Sequence, residues 1–233
     1  MRILIVSATE PEVAPLKAEV EKLNLEHGRE AFNAKYHINN QTNTYIKHPE
    51  ISFLVTGVGM VAMAVCLGKH LALNQYDLAI NLGIAGSFDR SITIGEVVEV
   101  STDTLSELGA EDDEVFLPIE ELGFNPGYYQ SRVSYSNYVN KQVLKKVTAI
   151  TVNTVHGNEA SIKKVVDRLN PQLESMEGAA FFYACEEYVL PCLQIRSVSN
   201  YVEKRNRANW DIPLAIKNLN NFAIEMVKSI DLA

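Results

Sequence analysis

The sequence predicts an α/β fold in which a mixed, mostly parallel central sheet is flanked by helices, as a single domain over residues 1–233. Three observations predict it. First, runs of strand length that are apolar throughout, such as Leu78-Ala79-Ile80-Asn81-Leu82, alternate with stretches of helical periodicity. Strands of that kind are buried on both faces, as in parallel sheets with crossover helices. Second, the alternation recurs in both halves of the chain, and no linker, repeat or low-complexity segment separates them. Third, 233 residues at 47% hydrophobic suffice for a sizeable core.

The elements follow in order. A strand over residues 2–7 leads to a helix with Val13, Leu16, Val20 and Leu23 on one face. Residues 32–55 read as short strands separated by polar turns, the last strand at 51–55. Gly57-Val58-Gly59 closes that strand and opens a helix over 61–73. The run 78–82 ends at Gly83-Ile84-Ala85-Gly86, which reads as a tight turn or as backbone brought close to a ligand. A β segment is expected over 94–100, then an acidic, turn-rich stretch over 106–127. Beyond it come a strand at 149–155, a helix at 159–169, a short strand at 173–176, a helix at 178–188, a strand at 192–198 and a last helix at 212–230. Residues 106–127 and the tyrosine-bearing stretch 128–138 are candidates for a pocket lid or an oligomer interface.

Charge and composition exclude several classes. A net charge of −8 with no basic run argues against a nucleic-acid partner. No stretch approaches ~20 apolar residues, so no membrane span is expected, and the apolar N-terminal run is too short for a secretion signal. Cys66, Cys185 and Cys192 lie in apolar surroundings without CxxC spacing, which suits reduced thiols and a cytoplasmic location. The five histidines are scattered, and no metal site or cofactor motif appears.

In α/β sheets, ligands bind at the carboxyl ends of strands. There Thr9-Glu10-Pro11-Glu12 forms a capping box, so Glu12 either caps its helix or faces a pocket and activates water. Glu177, between Met176 and Gly178, either favours a helix N-terminus or accepts hydrogen bonds from a vicinal diol. Met176 alone reads as a core filler. Asn200 either stops its strand or reads the edge of a heterocycle with one acceptor and two donors. Arg196 inside an apolar strand requires an anion or several acceptors nearby.

Together these pieces resemble the purine nucleoside phosphorylase/uridine phosphorylase superfamily, and within it the nucleosidase branch that includes methylthioadenosine/adenosylhomocysteine nucleosidase. The matching motifs are the strand ending at Ala8 with Glu12, Thr56-Gly57-Val58-Gly59, Asn81-Leu82-Gly83-Ile84-Ala85-Gly86, Thr151-Val152-Asn153-Thr154-Val155-x-Gly157, Met176-Glu177-Gly178-Ala179 and Arg196-Ser197-Val198-Ser199-Asn200. The resemblance implies a nucleoside phosphorylase-like fold, cleavage of an N-glycosidic bond without cofactor or metal, a small-molecule nucleoside substrate and a homo-oligomer. It implies that Glu12 activates water with help from Arg196. Glu177 would hold the ribose beside Met176, Asn200 would bind the departing base, and Ala85, Gly86, Val155 and Ser199 would contact the substrate.

Departures from the pattern refine this expectation. Phosphorylases carry arginines near the first strand and before the central glycines, where this chain has Ala8-Thr9-Glu10-Pro11 and Asn81-Leu82-Gly83. Hydrolysis is therefore favoured over phosphorolysis. Adenine-specific relatives have Asp where this chain has Asn200, and an amide that donates suits a 6-oxopurine such as hypoxanthine. Ile84 stands where many adenine-type relatives have a serine, and the base-stacking aromatic is absent around 157–161. Lys204, Arg205 and Arg207 are either an exposed charge cluster or a grip for a carboxylate on the 5′ substituent. The rival expectations are an adenine-type nucleosidase and a nucleoside-binding protein without turnover.

Overall fold

The computed structural model describes residues 1–26, 50–139 and 143–230. Strand β1 (Arg2–Ser7) is buried from Ile3 onward. A single 3-10 turn, Glu10–Glu12, then hands the chain to α1 (Ala14–Glu26), where Leu16 and Val20 face the core. β2 (Glu50–Val55), α2 (Met60–Leu71), β3 (Leu78–Ser87) and β4 (Val97–Leu105) follow. The hairpin β5 (Gly109–Asp112) and β6 (Val115–Pro118) precedes β7 (Tyr128–Gln130) and β8 (Lys146–Thr151). The chain continues with α3 (Glu159–Leu169), β9 (Leu173–Ser175), α4 (Gly178–Glu187), β10 (Cys192–Tyr201) and α5 (Ile212–Ser229). The short strands expected between residues 32 and 49 lie outside the described residues.

β1 pairs in parallel with β2 and β3, β3 with β10, β4 with β8, and β8 with β9. The pairs β10–β4, β3–β9 and β4–β7 are antiparallel. The sheet is thus mixed and mostly parallel, as expected. One feature was not expected: the order β10-β4-β8-β9-β3 returns to β10, so these strands close on themselves. Closure removes two free strand edges and sets the carboxyl ends of β3 and β10 beside the short strand β9.

Each face of the sheet carries its own core. Met63 and Leu67 of α2 and Phe181 and Phe182 of α4 cover one face. Leu16 and Val20 of α1 and Leu219, Phe222 and Ala223 of α5 cover the other. β3 shows why its sequence is mostly apolar: Ala79 belongs to the first cluster and Leu78, Ile80 and Leu82 to the second. Truncating a fully buried side chain such as Leu67 to Ala typically costs about 2–5 kcal/mol.

Several expected boundaries move. β3 does not turn at Gly83 but runs on to Ser87, because its partner β10 continues beside it to Tyr201. The β segment placed at 94–100 lies at 97–105, where Gly95 (φ 85°) makes the preceding turn. β8 ends at Thr151, leaving residues 152–158 as a loop before α3. That loop is anchored by Asn158, whose side chain accepts from Ala160 N and Ser161 N. The turn-rich stretch 106–127 contains a hairpin, tied down where Arg168 donates to Ser106 O at 2.7 Å and lies over the Phe116 ring.

Candidate active site

Glu12 caps its own turn and also faces a cavity. Its Oε2 accepts from Thr9 N (2.9 Å), Thr9 Oγ1 (2.8 Å) and Ser7 Oγ (3.0 Å), which completes the cap. Its Oε1 accepts from Ile84 N at 3.2 Å across 72 residues of sequence. The register of β1 on β3, with Val6 opposite Asn81, brings these two strand ends together. From α5, Asn220 donates to Glu12 O at 2.9 Å and accepts from Leu16 N at 3.0 Å, clamping the turn. The result is a carboxylate 6% exposed that still lines a cavity.

Glu177 is the N-cap of α4, and its Oε1 accepts from Gly59 N at 2.9 Å across 118 residues. Gly57 and Gly59 have φ of 90° and 99°, a region that a side chain would strain. The Gly-Val-Gly turn is therefore a device for aiming a backbone N–H at Glu177. It is not a dinucleotide loop.

The placement of Asn200 depends on a bulge. β10 and β3 pair Val198 with Ala85 but Asn200 with Gly86, so Ser199 is the extra residue. A bulge re-aims the side chains beside it, and Ser199 and Asn200 both line the cavity. Ser199 Oγ stands within donating distance of Asn200 Oδ1 (2.8 Å) and Ala85 O (3.2 Å). Asn200 Nδ2 donates to Tyr201 O at 3.1 Å.

Arg196 is not on the cavity wall but just behind it, 2% exposed, in register with Gly83. A Cβ at Gly83 would collide with Arg196 Nη1, and it would sit 3.2 Å from both Arg196 Cζ and Glu12 Oε1. Gly83 is thus glycine because a guanidinium occupies that space. Arg196 Nε donates to Gln194 Oε1 (3.0 Å), Gln194 Nε2 to Asp103 Oδ2 (3.1 Å), and Thr151 Oγ1 to Asp103 Oδ1 (2.8 Å). Ala179 N donates to Thr151 Oγ1 at 2.7 Å, so this buried chain runs from Arg196 to the first turn of α4, beside Glu177. Burial pushes the Asp103 carboxyl up to about 6, against the opposing hydrogen bonds from Thr151 and Gln194 and the charge of Arg196. Arg196 Nη2 is buried without a partner among the described residues.

The cavity holds about 430 Å³ and brings together Glu12, Ala85, Gly86, Val155, Met176, Glu177, Ser199 and Asn200. Among the described residues, no Lys or Arg lines it. None of residues 106–138 lines it either. Arg205 and Arg207 are exposed and lie over the ring of Trp210, itself a wall residue, at 5.0 and 6.0 Å.

Several wall residues were not expected as site members, among them His156, Glu174 and Trp210. Glu174 had a usable signal, a carboxylate inside a short strand expected to be buried; His156 had none. His156 Nδ1 lies 2.6 Å from Glu174 Oε2, and His156 N donates to Glu174 Oε1 at 3.1 Å. The hydrogen bond to Glu174 raises the His156 pKa above its ordinary value, against burial.

The phosphorylase superfamily model matches residues 2–230. Over 148 residues the chain is 32% identical to a futalosine hydrolase of Streptomyces coelicolor, an alignment covering 63% of each chain. Over 197 residues it is 29% identical to a futalosine hydrolase of Acidothermus cellulolyticus, covering 78% of this chain and 77% of that one. Among solved structures, the futalosine hydrolase of Helicobacter pylori superposes with a TM-score of 0.74 at 16% identity, covering 99% of this chain and 98% of that one. A methylthioadenosine/adenosylhomocysteine nucleosidase of Colwellia psychrerythraea, in complex with adenine, gives 0.73 at 21%, covering 99% of this chain and 96% of that one. By its motifs, its fold and the family match across nearly its whole length, the chain belongs to the phosphorylase superfamily.

Proposed function

We propose that this chain is a single-domain nucleosidase that hydrolyses the N-glycosidic bond of futalosine and releases hypoxanthine, a step in a route to menaquinone. The observation that carries hydrolysis over phosphorolysis is the cavity wall. Among the described residues it presents the carboxylates of Glu12 and Glu177 and no Lys or Arg, whereas a phosphate subsite requires cations or clustered N–H donors. The named relatives support the substrate.

In this reading Glu12 takes the proton of the attacking water. General-base assistance of that kind contributes roughly 10²–10⁴ in rate. Arg196 Nη1 reaches the same space above Gly83 as Glu12 Oε1, and from behind the wall its positive charge helps the Glu12 carboxylate. Glu177, fixed by Gly59 N, accepts from the ribose hydroxyls beside Met176. Asn200 donates to the purine as it leaves with its charge, and Ala85, Gly86, Val155 and Ser199 pack around the substrate. Arg205 and Arg207 at the Trp210 rim receive the carboxylate of the 5′ substituent. Neither metal nor organic cofactor takes part.

The unpaired thiols support a cytoplasmic location. Val58, Val61 and Val65, exposed by 58%, 72% and 63%, support a homo-oligomer.

A chromatographic assay of the purified protein against futalosine, inosine and methylthioadenosine tests the substrate. Hypoxanthine from futalosine is the expected result. Adenine from methylthioadenosine in its place overturns the substrate, and no release from any of the three overturns the enzymatic reading.

A further inference from the structure

Asn200 is not the sole polar group facing the base end of the cavity. His156, its side chain 13% exposed, lines the same wall, and Glu174 beneath it is 3% exposed. Two bonds to one carboxylate, from the ring Nδ1 and from the backbone N, fix the orientation of the imidazole. The edge of Phe88, with ring centroids 6.1 Å apart, limits its remaining freedom. Nε2 has no bond to the protein among the described residues and is the ring's remaining polar atom. Gly86 places this pair beside Asn200: a Cβ there would lie 3.3 Å from Asn200 Nδ2 and 3.4 Å from Glu174 Cγ.

We propose that the His156–Glu174 pair selects the purine: with Nδ1 held by Glu174, the imidazole donates from Nε2–H to the oxygen of a 6-oxopurine and repels the amino group of a 6-aminopurine. The inference rests on the nucleoside reading of the cavity and adds a specificity residue to it.

The selection depends on the ring's charge. A neutral imidazole that gives its one proton to Glu174 leaves Nε2 as an acceptor, which suits an amino group. A protonated ring donates from both nitrogens, and protonation also answers the buried carboxylate of Glu174. The charged groups acting on His156 are Glu174 on β9, Glu107 after β4 and Arg168 on α3; Glu12 and Glu177 share the cavity. Glu174 raises the pKa of His156, so the donating form persists to higher pH than in a free imidazole. Preference for the 6-oxo base is therefore present below the pKa of His156 and lost as pH rises through it.

The test is calorimetric titration of the protein with hypoxanthine and with adenine across pH. A charge-assisted hydrogen bond is worth about 1.5–3 kcal/mol, so hypoxanthine is expected to bind roughly 10- to 100-fold more tightly at low pH. That margin shrinks as pH rises. His156→Phe keeps a ring and abolishes the margin, and Glu174→Gln moves its loss to lower pH. A wild-type preference independent of pH, a preference for adenine, or a margin kept in His156→Phe overturns the proposal. The wild-type pH dependence decides even where a variant fails to fold. Hypoxanthine preference without futalosine cleavage sinks the hydrolase reading alone, while cleavage without a pH-dependent preference sinks this inference alone.

Discussion

In the proposed reading the cavity has a sugar end and a base end, and the two are held in different ways. At the sugar end, Glu12 and Glu177 are pinned by backbone N–H groups from remote segments, Ile84 N and Gly59 N. At the base end, His156 leans on Glu174 and Asn200 on Ser199, side-chain contacts to which the local backbone groups His156 N and Tyr201 O add bonds. Backbone donors cannot be exchanged by point mutation, whereas side-chain partners can. If that reading holds, the difference teaches that the bond-breaking residues are held by the fold itself, while the choice of base rests on a few replaceable groups. Changes at the sugar end should abolish turnover on every substrate, and changes at the base end should redistribute it.

The largest expected effect is at Glu12. Glu12→Gln lowers turnover by about 10²–10⁴ while hypoxanthine binding, read by calorimetry, stays the same. Were Glu12 only a cap, the change would cost about 1 kcal/mol of stability and leave the rate intact. Next comes Gly83→Ala, which drives Arg196 from its place beside Glu12. A displacement near 1 Å costs roughly 10²-fold, and a steady-state assay should show it in kcat more than in KM.

At the base end, Asn200→Asp replaces a donor by an acceptor beside the buried Glu174 carboxylate. Hypoxanthine-nucleoside turnover should fall about tenfold more than adenosine-type turnover, the worth of one hydrogen bond. Equal losses would erase the contrast between the two ends.

The smallest effect concerns stability alone. The Asp103 carboxyl, raised to about 6 by burial, keeps its proton in the folded protein at pH values where the unfolded chain has released it. Folded protein thus binds more protons between about 4 and about 6, so this group's contribution is greatest at the low end and declines as pH rises through that window. Denaturant midpoints of Asp103→Asn, measured against pH, should lack that decline.

Legibility in the sequence followed the range of the interactions. Glu12 announced itself through Thr9 three residues away, and Glu177 through the strand-to-helix junction around it. The parallel pairing was readable in the mostly apolar β3. The closure of β3 onto β10 was not, since it depends on strands more than 100 residues apart in the chain. Gly83 read as a turn because nothing nearby reveals that Arg196 fills its side-chain space. The bulge at Ser199 has no local mark, although it orients Asn200. His156 was invisible for the same reason: its meaning comes from Glu174, 18 residues onward.

The most direct test of the central claim, water activated by Glu12 in a cavity without a phosphate grip, is turnover of futalosine with phosphate removed and then restored. The account predicts the same rate in both, a free ribosyl product, and no ribosyl phosphate in the phosphorus spectrum. A rate that requires phosphate, with ribosyl phosphate as product, would contradict it.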